Sequence, residues 1–130
     1  SITWDRLVDF HANVKAATEE NIRRTTGAPG HVSCRFTHAY TDGCAPYFTL
    51  HASPTPGQEL AQWKEIKQAA SEALMREGGT ITHHHAVGRD HMPWYGAQRP
   101  ALMGEALAAV NARLDPKGML NPGVIVPPIS

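Results

Sequence analysis

The sequence predicts an α+β fold in which helices pack on one face of a small antiparallel sheet. Two neighbouring runs alternate apolar and polar residues with period two, and the segments around them carry apolar residues at helical spacing. Clusters of glycine and proline fall at the joints between these segments.

Residues 3–26 place Trp4, Leu7, Val8, Phe10, Val14 and Ala17 on one helical face, with Thr3 as N-cap and Asp5 in the first turn. Gly27, Pro29 and Gly30 stop that helix. Residues 31–40 alternate, with Val32, Cys34, Phe36 and His38 on one side and Ser33, Arg35 and Thr37 on the other. After the turn at Thr41-Asp42-Gly43, residues 47–52 alternate again, Phe48 and Leu50 against Tyr47, Thr49 and His51. The two runs form a hairpin. Thr55-Pro56-Gly57-Gln58 has the form of a capping box, and the helix it opens carries Leu60, Trp63, Ile66, Ala70, Ala73 and Leu74 before Gly78-Gly79. A third strand is expected over residues 80–84, an irregular stretch over 92–96, a last helix over 100–114 with Met103, Leu107, Val110 and Leu114, and a short edge strand over 124–126. Such an order suits a ferredoxin-like arrangement whose second sheet face is left polar and uncovered.

A chain of 130 residues can bury roughly two-thirds of its unfolded surface. Twelve basic and twelve acidic residues cancel, which removes the bulk field that nucleic acid or an anionic membrane would need. Cys34 and Cys44 are too few for a disulfide framework and are read as reduced thiols. No apolar run approaches a membrane span, so a cytoplasmic setting is expected. The chain enters helical sequence almost at once and is read as one domain, residues 1–130, of something longer.

The strand alternation sorts the internal run Gly78-Gly79-Thr80-Ile81-Thr82-His83-His84-His85-Ala86-Val87-Gly88. With Ile81 toward the helices, His84 points to the face that holds Tyr47, Thr49 and Arg35; His83 shares the side of Ile81, and His85 lies at the strand end. Imidazole titrates near neutrality, a phenol can exchange a proton, and a guanidinium can hold a carboxylate or phosphate. A metal site is the rival reading of adjacent histidines, with His38, His51 and His91 as helpers, but strand neighbours point apart and no metal is expected.

The stretches SITWDRLVDFHANVK, SCRFTHAYTDGCAPYFTL, GGTITHHHAVGRDHMPW and LDPKGMLNPG resemble, in this order, the alkyldihydroxyacetonephosphate synthase (alkylglycerone-phosphate synthase) family of vanillyl-alcohol-oxidase-type flavoproteins. The resemblance implies the carboxy-terminal, cap-like domain of an enzyme whose FAD-binding domain lies upstream and holds most of the cofactor. It implies exchange of the acyl group of acyl-dihydroxyacetone phosphate for a long-chain alcohol, with no net redox change. Tyr47 matches the family's active-site tyrosine, and His84 and His85 match its functional histidines, with His83 beside them. Asn121 falls in a closing motif near the flavin, and Arg35 and Thr49 are placed there by strand position alone. Peripheral membrane association, a homodimer and, in a eukaryote, a peroxisomal setting are further expectations. The chain departs from the family at Ala86, where glycine usually follows the histidines, and at Pro46, which should weaken strand pairing.

Two other readings stand beside this one. An FAD-linked oxidase or dehydrogenase of 2-hydroxy acids such as D-lactate or glycolate usually carries Glu-His-Gly where this chain has His84, His85 and Ala86. A stand-alone ligand-binding module fits the lack of a nucleotide-cradling glycine loop.

Overall fold

The computed structural model describes residues 1–126, which divide into two compact units, Ser1–Ile81 and the described residues from Thr82 onward. In the first unit, strand β1 (Ile2–Thr3) leads through a single 3-10 turn at Trp4–Arg6 into helix α1 (Leu7–Thr26). Strands β2 (His31–Ala39) and β3 (Gly43–His51) form the hairpin, and helix α2 (Glu59–Arg76) follows. The sheet is antiparallel throughout, in the order β1-β3-β2. This is the α+β arrangement that the alternation predicts.

Helix α1 buries Phe10, Val14, Thr18 and Ile22, each four residues from the last, so one stripe faces the sheet. The buried Thr18 hydroxyl donates to the Val14 carbonyl at 2.7 Å, which removes the cost of an unpaired polar group. Gly27, at φ 73°, closes the helix in the left-handed conformation. Thr3 is not a side-chain cap: it pairs with Gly43 in the sheet, and Trp4 and Val8 stay outside the core.

Two apolar clusters join helices to sheet. One holds Ile2, Phe10, Val14, Cys44 and Ala73; the other holds Ile22, Val32 and Ile66, and Phe48 packs on both. Gly79 is needed at the first, because a Cβ there would stand 2.4 Å from the Phe10 ring. Lys15 and Glu19, on α1, fasten β2: the Val32 amide donates to Glu19 Oε1 at 3.0 Å, and Lys15 Nζ donates to the Val32 carbonyl at 2.8 Å and to Glu19 Oε1 at 2.5 Å. Cys34 and Cys44 are free thiols, and burial pushes both up from the ordinary cysteine value.

Helix α2 begins at Glu59, beyond the expected proline start. Thr55 pairs instead with Gln62, one turn further on: its amide donates to Gln62 Oε1 at 2.8 Å, and Gln62 Nε2 donates to its hydroxyl at 3.1 Å and to the Thr25 carbonyl at 2.9 Å. Ile66, Ala70 and Ala73 are buried as their spacing predicts, whereas Leu60 and Trp63 are exposed. The helix ends in a Schellman pair, Gly78 N–H to Met75 O at 3.0 Å and Gly79 N–H to Leu74 O at 2.9 Å, with Gly78 at φ 76°.

The third strand expected over residues 80–84 is absent, and β1 takes that place in the sheet. Ile81 is nevertheless buried, and Thr80 is tied to Ser1 by its amide at 3.0 Å and its hydroxyl at 3.1 Å. One buried apolar residue gives alternation without a ladder.

In the second unit, helix α3 (Gly88–Gln98) runs through Met92-Pro93-Trp94-Tyr95-Gly96, where an irregular stretch was expected. Pro93 enters as its sixth residue and removes one hydrogen bond without breaking the helix. Helix α4 (Ala101–Leu114) starts after Pro100 as expected, but Met103, Val110 and Leu114 are exposed and only Gly104 is buried. Residues 124–126 are bends, so the expected edge strand does not form. Among the described residues, no helix is long and apolar enough to cross a membrane.

Candidate active site

The hairpin register fixes which side chains share a face. Arg35 stands opposite Tyr47, Ser33 opposite Thr49, and His31 opposite His51, while Val32, Cys34, Leu50 and Phe48 alternate with them. Val32 and Phe48 pack on the helices, so the first set lines the other face. Sequence parity thus brought Arg35, Tyr47 and Thr49 together correctly. The Arg35 guanidinium lies 4.9 Å from the Tyr47 ring centroid, a cation–π contact that fixes both side chains.

The ladder slips between Phe36 and His38: Phe36 pairs with Pro46, and His38 with Ala45. Proline has no amide to give, and the weakened pairing expected at Pro46 takes the form of a β-bulge. Thr37 adapts by donating its hydroxyl to the Ala45 carbonyl at 3.1 Å. Because Ala45 is two residues from Tyr47, the bulge moves His38 to the polar face, whereas alternation had placed it with Val32 and Phe36. The bulge erased the parity signal beyond Phe36.

His31 and His51 form a pair that the sequence reading did not single out, their rings stacked at 6.2 Å between centroids. The signal was available, since the register that opposes Arg35 to Tyr47 also opposes these two. Beside this face an open groove of about 740 Å³ runs between β3 and α2, lined among others by Tyr47, Phe48, Leu50, Leu60, Trp63 and Ile66.

The histidine triplet belongs to the second unit. Residues 82–87 are bends and irregular backbone rather than strand, so the parity that separated His83 from His84 does not hold. Thr82 donates its hydroxyl to the Ala86 carbonyl at 3.0 Å, and Ala86 sits at φ 61°. That left-handed backbone is the physical reason a glycine suits the position. The three rings touch in series: His83 and His84 bring their Nδ1 atoms to 3.4 Å, and His84 meets His85 edge-on at 4.3 Å between centroids. Successive imidazoles share one cluster here, whereas on a strand they would point to opposite faces.

Asn121 also lies in the second unit, at φ 46°, a left-handed conformation asparagine tolerates. Its loop is held by Asp115, which accepts the Leu120 amide at 2.6 Å. Backbone amides of Leu120, Met119 and Gly118 hold the Asp115 carboxyl below the usual aspartate range. Arg89 donates to the Pro122 carbonyl at 3.1 Å and Arg99 to the Ile125 carbonyl at 2.6 Å, which ties the same segment to α3 and its end.

Residues 1–125 match the family described as FAD linked oxidases, C-terminal domain. The chain is similar to the alkyldihydroxyacetonephosphate synthase of Trypanosoma brucei brucei, 31% identical over 127 residues, covering 98% of this chain and 21% of the relative. With the synthase of Dictyostelium discoideum the identity is 28% over 103 residues, 79% of this chain and 17% of the relative. Glycolate oxidase subunit GlcD of Escherichia coli (strain K12) is 33% identical over 86 residues, 66% of this chain and 17% of the relative. The chain therefore spans about a fifth of the length of the curated relatives it matches.

Proposed function

From the premise that the chain belongs to the family of FAD linked oxidases, C-terminal domain, we propose that it completes the active site of an FAD-dependent alkylglycerone-phosphate synthase-like enzyme. The observation that carries the reading is similarity to an alkyldihydroxyacetonephosphate synthase over 98% of the chain. The polar face of the hairpin fits the neighbourhood of a flavin. It carries hydrogen-bond donors, among them Arg35 and Thr49, that suit the polar groups of a substrate held against such a cofactor. Most of the FAD is held by an upstream domain in this reading.

When bound, the flavin supplies an electrophilic centre that can be used without net oxidation of the substrate. The proposed reaction takes acyl-dihydroxyacetone phosphate and a long-chain alcohol. The bond from C1 to the acyl oxygen breaks and the fatty acid departs; the alcohol oxygen bonds to C1 and gives up its proton. Tyr47 moves the substrate proton through its Oη, and Arg35, lying on the phenol ring, keeps that hydroxyl on the polar face. His84 and His85 pass the second proton, as imidazoles in mutual contact can do. His83, which meets His84 through Nδ1, sets the orientation of the cluster. Asn121 would lie near the flavin in this reading.

The second reading, oxidation of a 2-hydroxy acid, is favoured by the similarity to a glycolate oxidase subunit. It lacks the glutamate that such enzymes usually carry where this chain has His84. The test is an assay of the full-length protein with acyl-dihydroxyacetone phosphate plus fatty alcohol, and separately with D-lactate and glycolate. Alkyl exchange that falls about 10²- to 10⁴-fold in Tyr47→Phe and in His84→Ala is expected. Wild-type exchange in both variants, or turnover of hydroxy acids alone, would sink the assignment.

A further inference from the structure

The hairpin is chemically lopsided. Between residues 31 and 58 the only carboxylate is Asp42, in the turn, against Arg35, His31, His38 and His51. The arrangement of these groups is as telling as their number. Ser33 and Thr49, both small and hydroxylated, face each other on the rung between His31/His51 and Arg35/Tyr47. All of these but the half-buried Tyr47 are exposed. Long side chains therefore rise on both sides of a low rung, and the outer rungs stand about 13 Å apart along the strands. The slot between them has two hydroxyl donors on its floor, a guanidinium at one wall and two imidazoles at the other.

Among the described residues, the Arg35 guanidinium forms no ion pair with a carboxylate, and it lies over the Tyr47 ring. Stacking on a ring fixes the plane of the guanidinium while leaving its N–H fork in that plane. A planar fork beside hydroxyls and imidazoles matches a tetrahedral oxyanion, which takes donors from several directions at once. A small carboxylate would satisfy the fork and leave the opposite wall unused.

We infer that the slot over Ser33 and Thr49 holds the phosphate of a phosphomonoester substrate, with Arg35 on one side and His31 and His51 on the other. The inference rests on the proposed use of a phosphorylated substrate. It adds His31, His51 and Ser33 to the binding machinery and places Arg35 on the phosphate. The two phosphate sources in such an enzyme are the substrate monoester and the diphosphate of the cofactor, and the probes below separate them.

The experiment is calorimetric binding to the full-length, FAD-loaded protein with dihydroxyacetone phosphate, dihydroxyacetone, glycolate and ADP as probes. Dihydroxyacetone phosphate should bind at least tenfold more weakly to Arg35→Gln and to the His31→Asn/His51→Asn double variant, with Arg35→Lys recovering part of the loss. Dihydroxyacetone should bind all forms alike. Ser33→Leu, which raises the floor, should also weaken the phosphorylated probe at least tenfold, with an unchanged melting temperature. Unchanged binding of dihydroxyacetone phosphate in Arg35→Gln would overturn the inference, as would Arg35-dependent binding of ADP or of glycolate. If alkyl exchange is absent but the phosphate effect holds, the slot stands and the reaction falls; if exchange proceeds and Arg35→Gln leaves KM unchanged, the reverse follows.

Discussion

Ile22 and Gly30 offer a test of how tightly α1 is seated on the hairpin. Ile22 is fully buried between Val32 and Ile66, and Gly30 passes directly over it. A Cβ at Gly30 would stand 2.4 Å from Ile22 Cγ2, 2.7 Å from Cδ1 and 2.9 Å from Cβ. The backbone of Gly30 is not left-handed, so Gly30→Ala carries a steric cost of about 1–3 kcal/mol and little else. Ile22→Ala removes three carbons from a full core and should cost about 2–5 kcal/mol. In the double variant the new methyl enters the space those carbons vacate. Only the approach to Cβ remains, and the combined loss should fall short of the sum by about 1–3 kcal/mol. Urea unfolding followed by circular dichroism, with the slope m unchanged, reads all three values. Additivity within about 0.5 kcal/mol, or a Gly30→Ala chain more stable than the parent, would refute the contact.

Other outcomes follow from single features. Ala86→Gly relieves a left-handed alanine and should stabilise the second unit by about 0.5–1 kcal/mol, visible as a higher thermal midpoint. The Asp115 carboxyl is depressed in the folded chain, so its contribution is complete above the ordinary aspartate range and is lost as pH falls through the lowered value. Amide exchange at Leu120 should accelerate in that acid window, and Asp115→Ala should remove the pH step. Gln62→Ala strips partners from the Thr55 amide and the Thr25 carbonyl together and should cost about 1–3 kcal/mol in a urea titration, more than loss of an exposed hydrogen bond.

The hairpin face was legible because period-two alternation is preserved from Val32 to Phe36 and from Tyr47 to His51, and two regular strands leave parity no freedom. The histidine segment was not, because Thr80 to His84 shows alternation on the strength of Ile81 alone. What decides its path lies elsewhere: the glycine cap at Gly78, the tie from Thr80 to Ser1, and the left-handed turn at Ala86. Strand β1 has two residues, too few to show any period. Residues 92–96 are helical where an irregular stretch was expected, because the turns on either side of Pro93 outweigh its local cost. The bulge at Pro46 was foreseen as weak pairing, but which residue it would displace depends on the partner strand.

The grip of Lys15 and Glu19 on Val32 reaches past the stability of α1. Both main-chain groups of Val32 that face away from β3 are already engaged by a charged pair from the helix. A strand from another molecule that tried to align along β2 would have to dislodge that pair before gaining its first hydrogen bond at this residue. Growth of the sheet into fibrils or edge-to-edge dimers is thereby discouraged at this point of the β2 edge.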